Sequence, residues 1–176
     1  MLVILKLIVD TVATILGGIL LLRFWMQAIR VRPPASVAQF TFTLSDWLVR
    51  PLRRIVPGVG GYDWASLIGA FLVVLLATSI VLITGVSGEA MFLLALYRFF
   101  TWIIYGFIAL LIIEAIFSWV NPHAPLAPFV RALNDPLLRP LRRVVPLVGG
   151  LDLSLLVALI LLQIARVVLG MVFGSP

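Results

Sequence analysis

The chain reads as an all-α membrane protein of four transmembrane helices from two parallel repeats, each with a cytoplasmic amphipathic interfacial module between its two crossings. Three observations predict this. Hydrophobic residues make up 63% of the sequence and charged residues 11%, far from the soluble averages of about half and about a quarter. Four apolar stretches, Leu2 to Leu22, Trp64 to Thr84, Phe99 to Val120 and Leu153 to Phe173, reach the roughly 20 residues that cross a hydrocarbon layer. Finally, residues 33–63 recur at 122–152 with a constant offset of 89 and no gap, 18 of the 31 columns being identical.

The first crossing, 2–22, resembles a signal peptide, but its apolar run is too long, Asp10 lies inside it and no small-x-small cleavage site precedes Arg23. It is read as retained. The module 33–62 follows. Val37, Phe40, Leu44, Trp47 and Leu48 recur at helical spacing, as do Leu126, Phe129, Leu133 and Leu137 in the second module, 122–151. Each module is expected to lie flat among the headgroups. Asp46 and Asp135 are read as caps of a second short turn, with Pro136 at its first position. Pro51 and Pro140 are expected to break or kink that turn.

Gly60-Gly61 and Gly149-Gly150 permit a sharp reversal towards the membrane. Asp63 and Asp152 directly precede apolar runs, where capping the next crossing's amides is their natural role. Ala13 with Gly17, Ala65 with Gly69, and Ser154 with Ala158 place small residues four apart, so that helix backbones can meet closely, within the chain or between copies as a homo-oligomer. The sequence thus divides into a first repeat (1–86, crossings 2–22 and 64–84), a short outer loop (87–98) and a second repeat (99–176, crossings 99–120 and 153–173).

Charge sets the expected orientation. Arg23, Arg30, Arg32, Arg50, Arg53 and Arg54 follow the first crossing and Arg131, Arg139, Arg142 and Arg143 the third, whereas residues 85–98 hold only Glu89 and Arg98. The positive-inside bias places both modules in the cytoplasm and both termini outside. The repeats then run parallel, unlike the inverted repeats of many transporters.

The pentapeptides Arg50-Pro51-Leu52-Arg53-Arg54 and Arg139-Pro140-Leu141-Arg142-Arg143 have three readings. Their arginines anchor at anionic lipid headgroups, dock a membrane or cytoplasmic protein partner through the guanidinium fork, or bind nucleic acid. Nucleic acid is set aside, because topology alone produces a pI near 11.1 and the basic stretches lack interleaved aromatics. Anchoring needs charge but not the same pentapeptide twice. Among ionisable residues in the crossings, Asp10 and Arg166 lie at matching depths and are expected to pair, while Glu114 has no obvious partner and reaches the interface or is protonated.

Nothing points to catalysis. His123 is the one histidine, wedged between Pro122 and Pro125, and there is no cysteine, so thiolate metal sites and disulfides are excluded. No nucleophile, base and orienting group assemble, no phosphate-binding fingerprint occurs, and no metal or cofactor is expected.

Arg139 to Arg143 through Val148-Gly149-Gly150-Leu151-Asp152-Leu153-Ser154, preceded by Ser118-Trp119 and Asp135-Pro136-Leu137-Leu138, closely resembles the YggT family of bacterial and plastid membrane proteins. The first copy matches from Arg50 to Asp63 but departs where Arg30-Val31-Arg32 replaces Trp119-Val120-Asn121. The resemblance implies a tandem, multi-pass protein of the bacterial inner membrane. It further implies a non-enzymatic role in organising or assembling partners, with links to osmotic tolerance; the alternative it leaves is a channel or transporter component in ion homeostasis.

Overall fold

The computed structural model describes residues 2–145 and 152–174. Among the described residues six α-helices follow one another: α1 (Leu2–Ala28), α2 (Ala35–Ile55), α3 (Trp64–Ser79), α4 (Gly88–Val120), α5 (Ala127–Arg142) and α6 (Ser154–Phe173). A 3-10 stretch, Ile80–Thr84, extends α3. Four helical stretches, Val3–Ala28, Trp64–Ile83, Gly88–Val120 and Ser154–Phe173, are long and apolar enough to cross a membrane. The chain is an all-α, multi-pass membrane protein.

Each unit is a crossing, a short amphipathic helix and a second crossing. The first packs α1 against α3 with α2 across one end, the second packs α4 against α6 with α5 across one end, and α4 also touches α1 and α3. Contacts fix the directions. Late residues of α1 meet the start of α3 through Arg23 and Asp63, so these crossings form an antiparallel hairpin. Asp10, near the start of α1, meets Arg98 in the first third of α4, and Arg98 also reaches Thr78 at the end of α3. Helices α1 and α4 therefore run the same way, as a parallel repeat requires. The small residues Ala13, Gly17, Ala65, Gly69, Ser154 and Ala158 are all buried. A Cβ at Gly17 would collide with the Trp102 ring of α4, so that glycine sets how closely the two units approach.

The offset of 89 carries through to burial. Helix α2 turns Thr41, Ser45 and Val49 inward, and α5 buries Val130, Asn134 and Leu138 in the same three columns. These inward stripes are spaced one turn apart, and three of their six residues, Thr41, Ser45 and Asn134, are polar. The apolar stripe of α2 faces out, with Phe40 and Trp47 exposed, as a helix lying among headgroups requires. In α5 the stripe is rotated inward, and Leu133 is buried.

Two expectations about helix boundaries are corrected. Neither module breaks at its aspartate or its prolines: α2 runs through Asp46 and Pro51, and α5 runs through Asp135, Pro136 and Pro140. An interior proline costs about 3 kcal/mol, but all three lie on exposed faces, and inward packing resumes beyond them at buried Leu138 and at half-buried Leu52 and Leu141. Salt bridges from Asp46 to Arg50 and from Asp135 to Arg139, four residues apart, tie the turns together. Residues 88–98, expected in an outer loop, are instead the first three turns of α4. The Ser87 hydroxyl caps this helix by accepting from the Ala90 amide at 3.2 Å, and Glu89 stands in its first turn. At 33 residues, α4 is about 50 Å long and outreaches a hydrocarbon layer of roughly 30 Å.

The positive-inside orientation is open to direct measurement, because the chain has no native cysteine. Single cysteines at Ser36, His123 and Ser87, all exposed, should label from the cytoplasmic side, the cytoplasmic side and the outer side respectively. Outer labelling at residue 123 would invert the second unit.

Candidate functional site

The repeated motif folds into two clasps of carboxylates and guanidinium groups, one at the α2 end of the first unit and one at the α5 end of the second. Asp63 stands just before α3 and is only 2% exposed. Arg53 grips it with both arms of its fork, Nη2 donating to Oδ2 at 2.7 Å and Nε to Oδ1 at 3.2 Å. The Ser66 hydroxyl donates to Oδ2 at 2.6 Å, and Nε of Arg23 lies 3.4 Å away. Arg23 also donates to Ser45 Oγ at 2.6 Å and to Asp46 Oδ1 at 2.7 Å, and its guanidinium sits 4.8 Å from the centre of the Phe42 ring. Arg50 closes the clasp on the other oxygen of Asp46.

The second clasp repeats the pairing column for column. Arg142 Nε donates to Asp152 Oδ2 at 2.8 Å, matching Arg53 with Asp63, and Arg139 pairs with Asp135, matching Arg50 with Asp46. What differs is the group supplied by the preceding crossing. Where α1 offers Arg23, α4 offers Glu114, held by Asn134 Nδ2 at 2.8 Å and Arg142 Nη2 at 3.2 Å. Ser45 and Asn134 occupy the same repeat column, so one position contacts a cation in the first unit and an anion in the second. In the first clasp three guanidinium groups meet two carboxylates. In the second, two guanidinium groups meet three carboxylates.

These contacts perturb the acids outside the crossings. Hydrogen bonding from Arg23 is the leading influence on Asp46 and holds its carboxyl below the ordinary value of 3.8. Burial is the largest influence on Asp63 and acts to raise it, but the bonds from Arg53 and Ser66 and the charges of Arg53 and Arg23 outweigh burial and lower it. Asp152 is likewise lowered, burial being outweighed by Arg142 and Ser154.

Several sequence expectations change here. Asp63 sits at the N-cap position of α3, yet its side chain makes no capping bond, because the arginines and the Ser66 hydroxyl occupy it. Asp152 accepts from the Ser154 amide at 3.0 Å while also holding Arg142. Gly60 and Gly61 adopt φ of 69° and 82°, a left-handed reversal suited to glycine; Gly149 and Gly150 lie outside the described residues. Glu114 is buried and bound rather than reaching the interface. Asp10 does not pair with Arg166. Helices α1 and α6 each pack on α4, whose Arg98 takes Asp10 at 2.5 Å, and Arg166 donates to the Tyr105 hydroxyl at 3.0 Å.

Of the six pentapeptide arginines, Arg50, Arg53, Arg139 and Arg142 are engaged internally. Arg54 and Arg143, equivalent columns, are exposed, and among the described residues neither has an acidic partner. Among those residues no cluster of His, Cys, Asp or Glu is placed to hold a metal ion. Sequence reasoning missed Arg23 and Arg98 as partners because it counted them as topological charge. It missed Asn134 because a polar residue on an amphipathic helix carries no sign of which way it faces.

A bundle of four crossings built from two such clasped units defines a class of tandem-repeat membrane proteins, and the sequence comparisons place this chain within it. The profile of the CCB3/YggT family matches residues 1–84 and 93–173; the chain belongs to that family. The second segment ends 89 residues after the first, the repeat offset. Among similar proteins, an uncharacterised Pseudomonas aeruginosa protein is 37% identical over 164 residues, 89% of this chain and 83% of its own length. A Vibrio alginolyticus protein encoded in the proC 3' region is 32% identical, covering 89% and 88%, and the Escherichia coli K12 protein YggT is 30% identical, covering 89% and 84%. No solved structure matches the chain.

The pairings set three expected stability effects. Asp63→Asn leaves Arg23 and Arg53 short of a counter-charge and should cost about 3 kcal/mol or more in detergent unfolding, whereas Arg54→Gln should stay within about 0.5 kcal/mol. Because Asp46, Asp63 and Asp152 are lowered when folded, their contribution is fully present above the unfolded value near 3.8 and is lost as pH falls through the folded values. Unfolding monitored between pH 7 and pH 2 should therefore show a flat limb followed by an acid loss, which Asp63→Asn diminishes. In the crossings, Asp10→Leu and Arg98→Leu should each destabilise, with the double variant recovering much of the loss. Additive losses would show that they are uncoupled, and coupling of Asp10 to Arg166 would contradict the geometry.

Proposed function

We propose that this chain is a non-catalytic scaffold or assembly factor of the bacterial inner membrane, with both clasps on the cytoplasmic side, acting in tolerance of osmotic stress. One observation carries the reading. The clasps pair four of the six pentapeptide arginines with carboxylates and leave the same column, Arg54 and Arg143, exposed and, among the described residues, without an acidic partner in both units. Arg53 and Arg142 hold each amphipathic helix on its hairpin, Arg50 and Arg139 brace the helix itself, and the remaining two present a pair of planar cationic forks at the membrane surface. Such forks suit carboxylate or phosphate groups on a partner.

An ion-handling role draws less support. Asp10 is engaged by Arg98 and Glu114 by Asn134 and Arg142, and the clasps sit at helix ends instead of forming a file through the bundle.

The test is complementation. In a bacterium deleted for its own family member and challenged osmotically, Arg54→Gln with Arg143→Gln should insert with normal orientation and stability yet fail to restore growth. Lysine at both positions keeps the charge but not the fork and should also fail. Full rescue by the lysine pair would reduce these arginines to a headgroup anchor and remove the protein-docking reading.

A further inference from the structure

The face that α3 buries inside the first unit is only half covered on α6, where Gln163 is left exposed. At the repeat offset, Ala70, Val73, Val74 and Ala77, all buried in α3, correspond to Leu159, Leu162, Gln163 and Arg166. Helix α3 is closed in by α1 and α4, whereas α6 packs on α4 and α5 at the end of the array. Only 6% of the α6 span is buried, against 33% for α3. An amide thus replaces a core valine on a face that the repeat elsewhere encloses.

Gln163 is exposed, and among the described residues its amide has no hydrogen-bond partner. It is the tenth residue of the 20-residue helix Ser154–Phe173, roughly 15 Å from either end and so near the bilayer midplane. Hydrocarbon offers nothing to an amide with two donors and an acceptor oxygen. Gln163 also belongs to a pattern: Leu156, Ile160, Gln163, Val167 and Gly170 recur at alternating steps of four and three. That is the spacing of a coiled-coil seam, in which one polar residue sets register and partner number. Leu156, Ile160 and Val167 are 54%, 50% and 50% exposed.

We propose that this seam docks a second copy of the same chain, α6 against α6 about a two-fold axis, with the two Gln163 amides exchanging hydrogen bonds at its centre. Near such an axis a residue meets its own counterpart. An amide is complementary to itself because it both donates and accepts. A guanidinium is not, and Arg166 is turned aside onto Tyr105 of its own chain, its hydrogen bond 3.0 Å long. Gly170 at the outer end of the seam permits close backbone approach. The partner is a copy rather than an unrelated helix because one self-complementary group, placed once at mid-depth, satisfies both sides without any further residue.

Single cysteines test the seam in native membranes while Gln163 is retained. Ile160→Cys and Val167→Cys should form oxidative cross-links at twice the chain mass. Leu161→Cys and Val168→Cys, equally accessible but off the seam, should not. Separately, Gln163→Leu should weaken self-association in vesicles roughly three- to tenfold, measured by energy transfer between labelled copies, and Gln163→Asn should retain most of it. Cross-linking without this periodicity, cross-links at a mass other than twice the chain, or unchanged association in Gln163→Leu would each overturn the proposal.

Discussion

A charge at the edge of the hydrocarbon layer must be matched before it is dehydrated, and the fold depends on how Asp63 meets that condition. Its carboxylate is almost wholly buried and receives a two-armed grip from Arg53, a hydroxyl from Ser66 and the charge of Arg23. Those partners come from three helices. One carboxylate therefore joins the end of α1, the end of α2 and the start of α3, and sets where the module sits on its hairpin. Removing any single member strands the others, whereas the intact set satisfies both oxygens.

The second unit solves the same problem with the opposite sign. Arg142 and Asp152 keep the central pair, but the crossing contributes Glu114 where the first unit contributes Arg23. One arginine then serves carboxylates on α4, on α5 and before α6, and Asn134 supplies the extra donor that Glu114 needs. The repeat conserves the geometry of the clasp while its inward charge is free to vary. The units meet along α4, where Trp102 packs over Gly17, and at α5, whose Leu133 carbonyl accepts from Trp25 of α1 at 2.9 Å.

Much of the architecture was legible in the sequence because its causes are local. Crossing a bilayer demands about 20 apolar residues, and a gapless repeat forces two copies of one supersecondary unit. Local rules failed where tertiary contacts outweighed them. Pro51 and Pro140 read as helix breaks and Pro136 as a helix start, yet all three face outward while Leu52, Leu138 and Leu141 beyond them pack inward, and α2 and α5 stay continuous. Asp63 reads as a cap, and its position is that of a cap, but the arginines claim its oxygens first.

By itself the sequence determined the four crossings, the tandem units and the repeated positions of the arginines and aspartates, since hydropathy and periodicity follow from residue type and spacing alone. Only the tertiary structure decided which charges meet. Matching depth made Asp10 and Arg166 look like partners, but helix order around the bundle brings Arg98 to Asp10 and leaves Arg166 with Tyr105. It also separated the six identical-looking arginines into four that pair with carboxylates and two that, among the described residues, have no acidic partner. Spacing along a chain specifies depth in a membrane; which helix is the neighbour is settled by packing.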